Sequence, residues 1–333
     1  METPVQGAGS RPNLALWGVF LLLALTAIAP AACVLWFMSE AVRNERLAVR
    51  QRLTLAYQSQ LQSLRRRVET YWNEKRHAAA ALGVGRSAGE RFANLVRSGI
   101  ADSVVICGES GQVEYPSDAA TKPGGPLAQS PFLLKAQTLE HQQSDFRAAA
   151  SAYASAARET NVSSVGAQAL LAQARCLVRV DEKEAALKIL TGPLMGTAYQ
   201  ATTDSSGNLI APYAQLRTLE LMSSPETEKH RLTLQALADR LNSYRGPHLP
   251  SSQRCFLMQR VSQLAPDGPS FPTLEAEILA AEFLQHCELH ARSPLPGRLR
   301  HTGLRELWEV RLSGKSVSVI ALFRERRILS ELD

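Results

Sequence analysis

The stretch AQTLEHQQSDFRAAASAY at residues 136–153 is matched 36 residues later by AQARCLVRVDEKEAALKI at residues 172–189. Both copies begin with Ala-Gln, carry an aspartate at the same position (Asp145 and Asp181), and continue with two alanines. Each copy predicts a helix, a short polar turn and a second helix whose small alanines allow close packing. Residues 127–192 are therefore expected to form two successive helix pairs.

Upstream of these pairs, residues 14–38 read LALWGVFLLLALTAIAPAACVLWFM, with no charge over twenty-five positions and tryptophans near both ends. A helix of this length covers about 37 Å, which exceeds the roughly 30 Å of a bilayer core. The segment predicts a single transmembrane helix after an N-terminal tail at residues 1–13. The apolar run is longer than that of a signal peptide, which favours an uncleaved anchor.

Residues 39–82 contain neither Gly nor Pro, and apolar side chains recur in steps of three and four at Leu53, Tyr57, Leu61 and Leu64. This spacing predicts one long amphipathic helix that leaves the membrane. Its apolar stripe is expected to pack on a partner helix, which would allow a homodimer, or on the domain that follows.

The net charge of +6 is concentrated just after the apolar segment. The arginines that contribute most lie at positions 43, 46, 50, 52, 65, 66 and 67. Basic side chains at this position are typical of contact with anionic lipid headgroups. No groove-reading motif accompanies them, so we expect membrane lipid as a partner and no nucleic acid.

Residues typical of β-strands occur near both ends of the remaining chain. Ser103–Cys107, a glycine-containing turn and Val113–Tyr115 predict one hairpin, and Leu307–Leu312 with Ser316–Phe323 predict another. Further helices are expected between them. The predicted fold class is mainly α with a small mixed sheet, an α+β arrangement. Its segments are residues 83–126, which hold the first hairpin; 193–292, with further helices; and 293–333, with the second hairpin and a charged tail.

Chemistry-bearing motifs are sparse. His286-Cys-Glu-Leu-His290 places two imidazoles four residues apart, but Cys287 stands where zinc proteases carry their glutamate. Surface or packed histidines are the alternative to a metal site. The five cysteines form no C-x-x-C pair, and the serines lack a nucleophile elbow. The sequence predicts no catalytic, cofactor-binding or metal residue and no cofactor. No residue identifies an enzymatic activity in this chain, and histidine kinase activity is the alternative only if a downstream kinase core is missing from it.

After the apolar segment and long helix, residues 100–116, IADSVVICGESGQVEYP, resemble the start of the sensory region of bacterial membrane-bound sensor histidine kinases. In these PAS- or Cache-like sensors, a long helix leads into a strand, a turn and a second strand, and Leu307 to Phe323 resembles a further hairpin of that sheet. The kinase core has no counterpart, because none of the seven histidines lies in a phospho-accepting motif. The helix pairs are similar in spacing to tetratricopeptide repeats of about 34 residues, or are a bundle with accidental similarity.

The resemblance implies the sensory input module of a two-component-type signalling system, with an unknown ligand and a kinase output domain or another protein as partner. The alternative is a membrane-tethered scaffold that holds a protein. A pocket enclosed by the Val104 and Val317 strands would favour sensing, and an open concave helical surface would favour scaffolding. The resemblance also implies an extracytoplasmic soluble part at the bacterial inner membrane. Four arginines follow the apolar segment and only Arg11 precedes it, so the positive-inside rule favours the opposite orientation.

Overall fold

The computed structural model describes residues 14–82, 87–117, 131–222, 227–246, 249–286, 299–313 and 318–332. The chain divides into two compact units, Met1–Thr70 and Tyr71–Asp333. Helix α1 runs without interruption over Leu14–Leu82. In the described part of the chain, no helix is both long and apolar enough to cross a membrane. The structure therefore does not support the transmembrane helix predicted at residues 14–38. Most side chains between residues 14 and 31 lie outside the part of the chain that the structure describes.

The apolar stripe of α1 is exposed where the sequence predicts packing. Leu53, Tyr57, Leu61 and Leu64 are each more than half exposed. Burial begins further along the helix, where Trp72 is 7% exposed and contacts Phe323 edge to face. That a partner helix packs on the apolar side chains at residues 53–64 stays a prediction.

The sheet has five strands in the order β2-β1-β5-β4-β3. Their bounds are β1 Ser103–Cys107, β2 Val113–Tyr115, β3 Leu299–His301, β4 Leu307–Ser313 and β5 Ser318–Arg324. Both predicted hairpins are present, and β1 pairs with β5, with Val104 opposite Ala321. The prediction that the two ends of the soluble part share one sheet is confirmed.

The expectation of a mixed sheet is wrong, because every pair of neighbouring strands is antiparallel. Hairpins reverse the chain at both ends, and β5 also runs opposite to β1, so no parallel crossover is needed. Every residue of β1 is buried, and β5 is buried throughout except at its ends. Successive residues of a strand point to opposite faces, so both faces of these two strands are covered.

Most of the helices lie between β2 and β3 along the chain, as the sequence predicts, while one short helix precedes β1 and another follows β5. Their bounds are α2 Ala88–Arg97, α3 Pro131–His141, α4 Phe146–Glu159, α5 Ser163–Arg179, α6 Lys183–Thr191, α7 Ile210–Leu221, α8 Glu228–Asn242, α9 Ser251–Leu264, α10 Leu274–His286 and α11 Glu325–Leu332. Two short 3-10 turns, Pro193–Met195 and Thr197–Tyr199, occupy part of the Gly/Ser/Thr-rich break.

The two sequence copies coincide with two helix pairs, α3 with α4 and α5 with α6. Ala136 and Ala172 are buried on the first helices of the pairs, and Ala149 and Ala186 on the second, both with 0% exposure. Each helix from α3 to α10 packs against the next one along the part of the chain described there. Because alanine adds little bulk, the helix backbones can approach closely at these positions.

Candidate functional site

A cavity of about 580 Å³ opens on the side of the stack formed mainly by the first helices of the pairs. We call it the groove. It is lined by Leu133, Gln137, His141, Tyr153, Gln168, Leu171, Ala172, Arg175, Asp204, Asn208, Leu209, Ile210, Tyr213, Ser252, Gln253 and Phe256. These residues come from α3, α4, α5, α7, α9 and the loop before α7. No strand contributes to the lining, so the groove belongs to the helices and not to the sheet.

At the groove, a partly buried ion pair and a tyrosine hydroxyl connect three helices, with the carboxylate buried and the guanidinium about half exposed. Arg175 on α5 donates two hydrogen bonds to Glu140 on α3, from Nε at 2.7 Å and from Nη2 at 2.8 Å. The hydroxyl of Tyr153 on α4 donates a third at 2.7 Å. Two parallel N–H bonds to one carboxylate fix the guanidinium plane as well as its distance. The groove therefore has a polar and geometrically constrained wall.

Burial of the Glu140 carboxyl acts to raise its pKa, but the hydrogen bonds from Arg175 and Tyr153 outweigh it and hold the pKa below the usual value. Burial and the neighbouring carboxylate raise the pKa of the Tyr153 hydroxyl well above its usual value. Glu140 is therefore ionised and Tyr153 neutral at neutral pH. The charge of Arg175 is compensated by Glu140, which leaves this part of the groove nearly neutral.

The loop before α7 forms the opposite wall through its own hydrogen bonds. The Asp204 side chain accepts from the backbone N–H of Ser206 at 2.9 Å and of Asn208 at 2.8 Å. Gly207 has φ +84°, a conformation that glycine adopts without a steric penalty. These contacts close a tight turn and hold Asn208 at the edge of the groove.

The Gln253 side chain fastens this loop to α9. Its Oε1 accepts from the Leu209 N–H at 2.8 Å, and its Nε2 donates to the Leu209 C=O at 2.7 Å. The amide thus pairs with the backbone as a neighbouring strand would. Gln253 is 7% exposed, so this contact is shielded from water and fixes the distance between two walls of the groove.

Two polar side chains in the groove remain available to a ligand. Among the described residues, no group hydrogen bonds to the Gln137 amide or to the Tyr213 hydroxyl. Phe256 also lines the groove and is 46% exposed, so it presents an aromatic surface to whatever binds there. Open amide and hydroxyl groups beside aromatic and aliphatic carbon suit a neutral ligand with both polar and apolar parts.

A second polar cluster, centred on a buried carboxylate, lies where the sheet meets the later helices. The Glu277 carboxylate on α10 has 0% exposure and accepts hydrogen bonds from the hydroxyls of Tyr115, Tyr244 and Ser251. The Nε of Arg254 lies 3.9 Å from Glu277 Oε1. Burial raises the pKa of Glu277, against the opposing effect of the hydroxyl donors and the guanidinium. This cluster has no lining role in the groove, so we assign it to structure.

The histidine motif weighed from the sequence gains no support as a metal site. His286 is exposed at the end of α10, and its Nδ1 lies 2.8 Å from the carbonyl oxygen of Glu282. His290 lies outside the described residues. Within the described ranges, no three metal-ligating side chains come together. No site residue was predicted, and the groove has no local motif, since its lining comes from five helices and a loop.

No family model, curated protein or solved structure matches this chain. The class is therefore defined by the fold alone: a mainly helical α+β protein with stacked helix pairs and a small antiparallel sheet.

Proposed function

We propose that this protein is a membrane-tethered binding module whose groove holds an extended peptide segment of a partner protein. The groove carries the proposal, because it is the place where open polar groups and exposed aromatic carbon converge. An extended peptide alternates backbone N–H and C=O groups with side chains, and the amide of Gln137 can both donate and accept. Phe256 and Leu171 would contact apolar side chains of the peptide.

The nearly neutral lining favours a peptide without a cluster of charges. Arg175 is paired with Glu140, and Asp204 is engaged by its own loop. A strongly acidic segment would lose hydration without gaining an unpaired arginine or lysine among the described lining residues, and a strongly basic segment would meet there one carboxylate outside an ion pair, that of Asp204. The expected ligand is therefore a mixed polar and apolar segment. Binding of a peptide by stacked helix pairs would agree with the resemblance of these pairs to tetratricopeptide repeats.

Replacing Phe256 with serine is expected to weaken peptide binding about 30-fold, or about 2 kcal/mol, the effect of losing an aromatic anchor at the centre of a contact. Peptides would be selected from a displayed random library on the full chain in mild detergent, and their affinities measured by calorimetry. Phe256 is half exposed, so the folded state should be little affected.

Phe132→Ser is the matched control. Phe132 is 40% exposed on α3 but does not line the groove, so this variant should bind the selected peptides as the native chain does. Equal losses in both variants, or library selection that yields no groove-dependent peptide, would contradict the proposal.

A second candidate, the sensory input module, is favoured by one further observation. Lys75 on α1 forms an ion pair with Glu331 on α11 at 3.2 Å, and the Tyr71 hydroxyl also donates to Glu331. Helix α11 directly follows β5, so a shift within the sheet would reach the long helix through these contacts. Ligand binding could then be passed along α1 to a kinase output domain or another partner. In this second candidate function, the groove is again the site where the ligand binds.

Residues 14–38 supply the proposed tether, on the evidence of their uncharged sequence. We place the soluble part outside the cytoplasm of a bacterial inner membrane, as the sensor resemblance implies. A fusion of alkaline phosphatase at Asp333 is then expected to be active, and a green fluorescent protein fusion at the same residue dark. The reverse result would overturn this orientation and favour the flanking arginines as its determinant.

A further inference from the structure

A second, smaller cavity of about 190 Å³ lies between α7, the end of α8 and the start of α9. Three of its lining side chains are arginines: Arg240, Arg245 and Arg254. None of the other lining residues is acidic; they are Gln200, Leu209, Pro212, Ser243 and Leu249. The cavity has room for several water molecules, each of which occupies about 30 Å³ in the liquid. A small oxyanion would fit.

The three guanidinium groups are only partly neutralised by the protein. Glu90 Oε1 lies 3.0 Å from Arg245 Nε, and Glu277 Oε1 lies 3.9 Å from Arg254 Nε. Arg240 is half buried, and within the described residues no carboxylate lies close enough to pair with it. Its Nη2 donates instead to the neutral Oε1 of Gln200. At least one positive charge at the cavity is left without a counter-charge.

Arg254 adds an unsatisfied donor to this uncompensated charge. Its side chain is 5% exposed, and its Nη1 donates to the carbonyls of Leu241 and Ser243. Its Nε is buried, has no hydrogen-bond partner among the described residues, and lies 3.9 Å from the Glu277 carboxylate, which does not line the cavity. A buried donor without an acceptor lowers the stability of a folded protein, as does a half-buried cation without an anion. An anion in the cavity that is rich in acceptor oxygens would reduce the cost of the uncompensated Arg240 charge.

We propose that this cavity, the arginine cavity, binds a phosphate-type oxyanion, either inorganic phosphate or a phosphate monoester. Guanidinium groups match the oxygens of phosphate with paired N–H donors. The Ser243 Oγ accepts from the Arg245 N–H at 3.3 Å and keeps its own proton to donate. A carboxylate would offer only two oxygens to these donors. The site is separate from the groove and does not depend on the proposed peptide binding.

Arg240→Gln tests the proposal, because it removes the unpaired charge and retains a shorter, uncharged polar side chain. Thermal unfolding of the full chain would be followed in a phosphate-free buffer and in inorganic phosphate, with ionic strength matched by sodium chloride to remove screening effects. The native chain is expected to gain several degrees in Tm with phosphate and to bind phosphate at least about tenfold more tightly than the variant. Without phosphate, Arg240→Gln should be at least as stable as the native chain.

Arg231→Gln is the matched control. Arg231 lies on the same helix, is exposed, and pairs with Glu228 at 2.5 Å, away from the arginine cavity. It should retain the full response to phosphate. The same measurement with glycerol phosphate distinguishes inorganic phosphate from a phosphate monoester as the ligand. If glycerol phosphate binds as well as inorganic phosphate, one phosphate oxygen can carry a substituent in the cavity. The proposal is overturned if phosphate has no effect at matched ionic strength, if acetate has an equal effect, or if both variants lose the response alike.

Discussion

Replacing Glu277 with alanine is expected to lower the free energy of unfolding by about 3–5 kcal/mol, the usual cost of removing one member of a buried, hydrogen-bonded ion pair. The hydroxyls of Tyr115, Tyr244 and Ser251 would lose their shared acceptor, and the Arg254 guanidinium would lose its carboxylate. These groups come from β2, the segment that follows α8, and α9. The variant therefore loosens the attachment of the sheet to the later helices.

Glu282→Ala is the control, since this glutamate lies on the same helix but is exposed. It should change stability by less than about 0.5 kcal/mol, as is usual at surface positions. Urea unfolding followed by circular dichroism measures both variants. A loss below about 1 kcal/mol in Glu277→Ala would contradict the buried network, because one unsatisfied buried polar group costs that much by itself.

The pH dependence gives a second readout of the same residue. Burial raises the folded-state pKa of Glu277 above 4.5, so the folded protein holds this proton more tightly than the unfolded chain does. The resulting stabilisation is fully present below pH 4.5 and is lost as the pH rises through the folded-state pKa. Glu277→Gln cannot titrate, so the native chain should lose stability relative to it over this range. An increase with pH would show that the folded-state pKa is lowered.

The sheet illustrates what the sequence alone could and could not predict. Alternating apolar residues and turn residues between them are local features, and they gave both hairpins and the shared sheet. The relative direction of two strands that are distant in sequence is not a local feature. Each hairpin determines the direction of its own two strands only, and the antiparallel pairing of β1 with β5 depends on how the helices between them return the chain. Strand β3 was not predicted, because three residues, none of them buried, carry too short a pattern for the period to be recognised.

The groove and the polar cluster around Glu277 could not be predicted from the sequence, for different reasons. Glu277 falls between Ala276 and Ala280 on the buried side of α10, so a charge inside an apolar stripe was a signal that the sequence contained. Its hydrogen-bond partners, however, come from other parts of the chain, and no residue spacing in the sequence predicts them. Gln137 and Phe256 are separated by over a hundred residues, and only the stacking of the helix pairs brings them to one cavity.

Trp72 packs helix α1 against the sheet, and Trp72→Ala is expected to cost about 3–5 kcal/mol, as for other buried tryptophans. Trp72 is 7% exposed, and its ring lies 5.1 Å from that of Phe323 in β5, at an interplanar angle of 74°. Removing the indole opens a cavity beside β5. Hydrogen exchange at residues 318–324 should therefore become faster along with the loss in global stability.

Tyr57→Ala is the control for this change. Tyr57 lies on the same helix and is 63% exposed, so its loss should leave both stability and exchange nearly unchanged. The pair of variants also separates sensing from scaffolding. If a peptide selected for the groove slows exchange at residues 71–79 in the native chain and in Tyr57→Ala but not in Trp72→Ala, then binding reaches α1 through the indole. If the peptide binds equally well and leaves this segment unchanged in all three, the helix only tethers the module, because a ligand without differential contact to two states cannot shift them.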